Sequence, residues 1–144
     1  MAGAGPAPLE LSRYCIPYTP LGKPLARSRI CLVTTAGVHH RDDPPFVPSG
    51  DNSFRRIPGD ARAADLRVAD EHYPHDAVDA DLNSVLPIDA LARLAAAGFV
   101  AGLAPAHFSM AFTQQLAAIR QTTVPELARA VDLVRPDAVL LTGG

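Results

Sequence analysis

Apolar positions follow three rhythms along this chain, and each predicts a different kind of element. Ile30, Cys31, Leu32 and Val33 form an unbroken run closed off by Gly37, and Val139, Leu140 and Leu141 form another inside DAVLLT, also followed by glycine. Continuous runs of this length suit strands covered on both faces, as in a parallel sheet. The segment from Phe99 to Ala104 has a similar character, so strands are expected near residues 29–36, 99–105 and 137–142. A second rhythm is alternation. Leu66 and Val68 alternate with polar neighbours over 65–69 and predict a short strand; a further short strand is expected over 53–57, although Phe54 and Ile57 are not spaced for strict alternation. The third rhythm is helical. Ile88, Leu91, Ala92, Leu94 and Ala95 recur at helical spacing behind Pro87, which is tolerated in a first turn, giving a helix over 87–97 that ends at Gly98. Residues 114–121 also read as helical. Thr123 and Glu126 have capping-box spacing ahead of Leu127, Ala130, Val131 and Val134, so a further helix is expected over 124–134, stopped by Arg135-Pro136.

These elements predict a three-layer α/β domain with a largely parallel sheet over residues 29–144. Residues 1–28 are expected to form a flexible start and a Pro-rich extended arm. A strand that should be central, fed by a helix, is followed by no crossover, so the domain is expected to be incomplete at its C-terminus.

Composition narrows the function. Thirteen basic and 15 acidic residues give a net charge of -2, spread along the chain, which argues against nucleic acid or anionic lipid as a partner. No apolar run reaches the roughly 20 residues of a membrane span, and MAGAGPAPLELSR lacks the basic start and apolar core of a signal peptide, so a cytoplasmic protein is expected. Cys15 and Cys31 make neither a disulfide framework nor a zinc pattern; Cys31 reads as a core residue and Cys15 as an ordinary thiol on the arm.

Candidate chemistry falls in the loops. Residues 37–48, broken by Pro44, Pro45 and Pro48, carry His39, His40, Arg41, Asp42 and Asp43 beyond the first strand, where open α/β sheets bind ligands. Adjacent residues in an extended segment point to opposite sides, so no metal is expected; His39 is a substrate-binding candidate by the resemblance that the block VTTAGVHHRDDPPF carries below. Arg55 has the fork geometry to hold a substrate carboxylate; the alternative is an internal ion pair with Asp51 or Asp60. The run from Asp70 to Asp81 reads first as a solvated loop; His72 within it is a candidate general acid or base by the resemblance that its block carries below. His107, expected just beyond a strand's carboxyl end, is the second catalytic candidate. His39, Arg55, His72 and His107 are expected to face one concave region.

Four blocks carry more specific information. VTTAGVHHRDDPPF, GDNSFRRIPGD, DLRVADEHYPHDAVDADLNSVLPIDALARLAAAGFVAGLAPAHFS and DAVLLT resemble, in this order, the selenoprotein B family of the glycine, betaine, sarcosine and D-proline reductases, the short D-proline reductase type being nearest. The resemblance implies an oxidoreductase subunit, of which this chain is the N-terminal part, that cleaves the C–N bond of an amino acid or its N-methyl derivative with a dithiol reductant. It also implies a selenocysteine or cysteine nucleophile directly after Gly144, and a pyruvoyl group on a partner subunit that holds the substrate amine. Selenocysteine is encoded by UGA, so the sequence is expected to be a product or a gene model truncated at that codon, inactive alone and with no cofactor of its own. Pro74 and His75 stand where the family has an acidic residue, and Met110, Ala111 and Phe112 where it has phenylalanine, methionine and glycine. Two readings from other classes remain beside this one: a non-catalytic binding or scaffold module for an amino-acid-like ligand, and a metal-dependent hydrolase built on His39, His72 and His107.

Overall fold

A computed structural model describes residues 20–144. Seven strands and four α-helical segments follow in order: β1 (Arg29–Thr34), β2 (Val38–His40), β3 (Phe54–Pro58), β4 (Leu66–Val68), α1 (Asp76–Ala80), α2 (Ile88–Ala96), β5 (Gly102–Leu103), β6 (Ala106–Met110), α3 (Leu116–Ala118), α4 (Val124–Val134) and β7 (Ala138–Thr142). The Pro-rich arm expected before β1, including Cys15, lies largely outside the described residues.

The fold is α/β, organised around β1. Parallel β7 pairs with β1 along its length, from Ile30 opposite Ala138 to Thr34 opposite Thr142. A strand has only two edges, so parallel β5 and β6 share the other one, pairing at Arg29–Ile30 and Val33–Thr34 respectively. Antiparallel β3 lies outside β6, and β2 with β4 makes a separate two-stranded ribbon. Side chains alternate across a strand, so Ile30 and Leu32 enter one core with Ile88 and Leu91 of α2, while Cys31 and Val33 enter a second with Leu127 of α4. The two helices therefore cover opposite faces of the sheet. The continuous apolar run of β1 is explained by this double burial.

Parallel strand order is β6-β1-β7, so the chain leaves β1 first towards one side and then returns to the other. β1 and β7 stay paired to their carboxyl ends, where the Thr35 N–H donates to the Thr142 carbonyl, and the space beyond these ends is where open α/β sheets of this order bind ligands. The far side of β7 is exposed: Val139, Leu140 and Leu141 retain 40%, 44% and 72% of their accessible surface.

Several expectations are corrected. The strand expected at 99–105 lies at Gly102–Leu103 and Ala106–Met110, so His107 stands inside a strand and not beyond its end. Residues 38–40, read as loop, form β2 because they pair with β4. The acidic run contains the short helix α1. Thr123 makes no cap: the chain continues helically from α3 through a π-helical turn, Ile119–Thr123, into α4, and the Thr123 hydroxyl donates to the carbonyl of Asn52.

Candidate active site

At the end of β1 the Thr34 hydroxyl donates to the carbonyl of Val85 at 3.1 Å and accepts the Ala36 N–H. Gly37 follows with a φ of 68°, a left-handed conformation that side chains with a Cβ rarely adopt. Space is as restrictive as the dihedral, because a Cβ at this position would stand 2.8 Å from the Cβ of Asp70. The Gly37 N–H donates to Met110 and its carbonyl accepts from Ala69, fixing the segment after β4 against the ends of β1 and β6. Asp70 is carried inward to only 4% exposure.

Both carboxylate oxygens of Asp70 are engaged. Oδ1 accepts the main-chain N–H of His72 at 2.9 Å and its ring Nδ1–H at 3.0 Å, while Oδ2 accepts the N–H of Phe112 at 2.9 Å. Burial pushes the Asp70 pKa up, but these donors and the imidazole together outweigh it and hold the carboxyl below its ordinary range. The His72 ring also stacks on Phe112, with centroids 3.5 Å apart and planes 19° from parallel. Hydrogen bond and stack together fix the ring's tautomer and plane. Nε2 is then the nitrogen free to exchange a proton, on a side chain 38% exposed.

His72 lines an open pocket of about 340 Å³ together with Thr35, Asp70, Tyr73, Phe112 and Gly144. This is the crevice at the carboxyl ends of β1, β6 and β7. Tyr73 donates its hydroxyl to the carbonyl of Ala36 at 2.9 Å, and burial, followed by the charges of Asp70 and Asp79, pushes its pKa up to about 12. It is a neutral wall at physiological pH. Gly144 lies flat on that wall: a Cβ there would come within 2.3 Å of the Tyr73 ring.

The other candidates lie elsewhere. His107 is fully buried in the sheet and repairs a break in it. Four steps along β1, from Arg29 to Val33, correspond to six along its neighbour, from Gly102 to Phe108, and in this irregular stretch the Leu32 N–H donates to His107 Nδ1 at 3.0 Å. That bond puts the proton on Nε2, which has no protein partner, and burial lowers the His107 pKa to about 4. His39, 7% exposed in β2, bonds through Nδ1 to the carbonyl of His40. Arg55 is committed to its own loop: its guanidinium donates to the carbonyls of Pro44 and Pro45, lies 3.5 Å from Asp51, and sits 4.3 Å over the Phe46 ring. The four residues therefore do not share a pocket. Among the described residues no three His, Cys, Asp or Glu side chains are grouped to hold a metal, and no helix is long and apolar enough to cross a membrane.

Asp70, Tyr73, Phe112 and Gly144 are the participants that pattern reading left unassigned. One signal for Asp70 was available, since an aspartate two residues before a histidine can bond its main-chain N–H in an Asx turn. Phe112 gave none, because its approach depends on the crossover between β1 and β6.

Comparison with known proteins gives one informative likeness. No family model matches the chain, and no solved structure does. Over 128 residues, 88% of its length, the chain is 41% identical to the D-proline reductase subunit gamma of Acetoanaerobium sticklandii, and it spans about half, 53%, of that relative.

Proposed function

We propose that this chain is the N-terminal part of a subunit in a selenoprotein B type reductase complex, acting on D-proline or a related amino acid, and that the Asp70–His72 pocket is its catalytic site. The observation that carries this reading is the 41% identity to a D-proline reductase subunit over 88% of the chain. The switch-point location of the pocket supports it, and so does the pairing of a buried carboxylate with a half-exposed imidazole.

In this reading His72 is the general acid. Cleavage of the substrate C–N bond sends the bonding pair to nitrogen, and His72 Nε2–H supplies the proton that the departing amine takes up. Asp70 holds Nδ1–H throughout, which orients the ring and keeps Nε2 towards the pocket. Phe112 prevents the ring from turning, and the Tyr73 side contributes an uncharged wall. The pocket's size suits a single amino acid, and the main chain of Gly144 on its rim suits the nucleophile that the family resemblance implies directly after it. When bound, the pyruvoyl carbonyl of a partner subunit and that selenocysteine or cysteine supply substrate activation and attack at the α-carbon. A dithiol then restores the nucleophile.

The test is an assay of the full-length protein with a pyruvoyl-bearing partner, D-proline and dithiothreitol, following ring-opened 5-aminopentanoate by mass spectrometry. Dithiol-dependent product is expected. Absence of turnover with D-proline, glycine, sarcosine and betaine alike, while the substrate still binds, would instead favour a non-catalytic binding module.

A further inference from the structure

At the opposite, amino-terminal end of the parallel strands a larger groove, of about 550 Å³, opens between β3 and α4. Three arginines line it, Arg29, Arg56 and Arg135, over a floor that includes Phe54 and Phe108. All three are exposed, and among the described residues none of their guanidinium groups makes an ion pair or a side-chain hydrogen bond. No carboxylate lines the groove. Asp137, next to it in the fold, is engaged by Lys23 at 2.8 Å and by the Arg29 main-chain N–H at 2.7 Å, and these hydrogen bonds, with the charges of Lys23 and Arg29, hold its carboxyl below the ordinary range. The remaining polar demand in this groove is for anions.

Two features indicate that the cations are there to be used. Arg135 ends α4 in a left-handed conformation, φ 48° and ψ 56°, at a position where glycine is usual. It is the sole non-glycine residue with positive φ among the described residues, a strained choice that keeps a guanidinium at the groove's edge. Beside it Leu133 is 83% exposed, more than any other large hydrophobic residue of the described chain. Arginines surrounding an apolar floor match a segment that presents carboxylates and an apolar side chain together. The chain as a whole is acidic, at -2, which disfavours a long polyanion such as nucleic acid and favours a short local match.

We propose that this groove docks an acidic segment of a partner subunit, with Arg29, Arg56 and Arg135 binding its carboxylates and Leu133 its apolar side chain. The inference rests on the proposed function only in taking the partner to belong to the same complex; it uses neither His72 nor the pocket around it.

The experiment measures fluorescence anisotropy of a labelled Glu-Glu-Leu-Glu-Glu-Phe-Glu-Glu peptide with the full-length protein. Saturable binding is expected, weakening about tenfold or more between about 50 and about 500 mM salt. Arg56→Ala and Arg135→Ala should each weaken binding about threefold or more, and the double variant about tenfold or more, with unchanged circular dichroism. Arg135→Gly should raise the melting temperature while weakening the peptide, a combination that a merely structural arginine would not give. Equal binding by the double variant, equal binding of a Gln-for-Glu peptide, or displacement by citrate at matched charge concentration would overturn the docking proposal. Because Arg56 and Arg135 lie outside the Asp70–His72 pocket, loss of peptide binding with intact turnover, or the reverse, separates the two readings.

Discussion

His72 and His107 are two histidines in neighbouring parts of one α/β domain, and their surroundings give them opposite properties. His72 has a carboxylate on one ring nitrogen, an aromatic ring against its face and an open pocket in front of it. His107 has a main-chain N–H on one ring nitrogen and no exposed surface. The first arrangement holds one ring nitrogen and leaves the other, Nε2, open to the pocket. The second forces neutrality, because Nδ1 must accept a hydrogen bond and there is no solvent to stabilise charge. A histidine's capacity for acid–base chemistry depends on which atom its partner offers, a lone pair or a hydrogen.

The largest expected separation between the two is in turnover. His72→Gln in the full-length complex should lower kcat by about 10² to 10⁴, the usual contribution of a positioned proton donor. The melting temperature should scarcely move, since the side chain is partly exposed. His107→Gln, if it keeps an acceptor for Leu32, should leave kcat of the folded fraction near wild type. Comparable loss of kcat in both variants, at equal folded fraction, would break the distinction.

Stability should divide them in the reverse sense. His107→Ala removes the acceptor of the Leu32 N–H and opens a cavity in the sheet, at a cost of about 3 to 5 kcal/mol, readable in urea unfolding. A cost below about 1 kcal/mol would show that water replaces the ring.

Acid sharpens the comparison. With a folded pKa of about 4 against the ordinary 6.5, His107 binds its proton more readily in the unfolded chain. Its contribution to stability is therefore fully present above pH 6.5 and lost as the pH falls towards 4, by on the order of 3 kcal/mol. Asp70, whose folded pKa is depressed, loses its contribution lower still, as pH falls through the folded value. His107→Asn should flatten the first stage of acid destabilisation and leave the second; an unchanged profile would remove His107 as the cause.

Much of the frame was legible because it is written in local patterns. The run Ile30–Val33 reads as doubly buried and is, and helices expected at 87–97 and 124–134 are found at Ile88–Ala96 and Val124–Val134. What escaped depends on residues far apart in sequence. Strand β6 was misplaced because Phe99–Ala104 is apolar enough to be a strand, whereas the register with β1 selects Ala106–Met110. His107 was expected in a loop for the same reason. Arg55 offered two partners on paper, substrate or loop, and only the folded positions of Pro44, Pro45 and Phe46 decide how its donors are spent. Within the pocket, His72 was legible and its support was not: Asp70 lay in a run that composition alone makes look solvated, and Phe112 reaches it from 40 residues further along the chain.

That long-range support makes the smallest prediction the most specific. Phe112 contributes two things to His72: its main-chain N–H helps hold Asp70, and its ring stacks on the imidazole. Phe112→Leu keeps the N–H and the bulk and removes only the stack, worth about 0.5 to 1.5 kcal/mol for such pairs. If the stack holds the ring in the geometry used for proton transfer, kcat should fall about threefold to tenfold while KM and the melting temperature stay nearly constant. A change in KM alone would mean that Phe112 serves the substrate and not His72. The corresponding change beside His107, Phe108→Leu, should do the opposite, destabilising the buried sheet by about 1 kcal/mol with turnover unaffected.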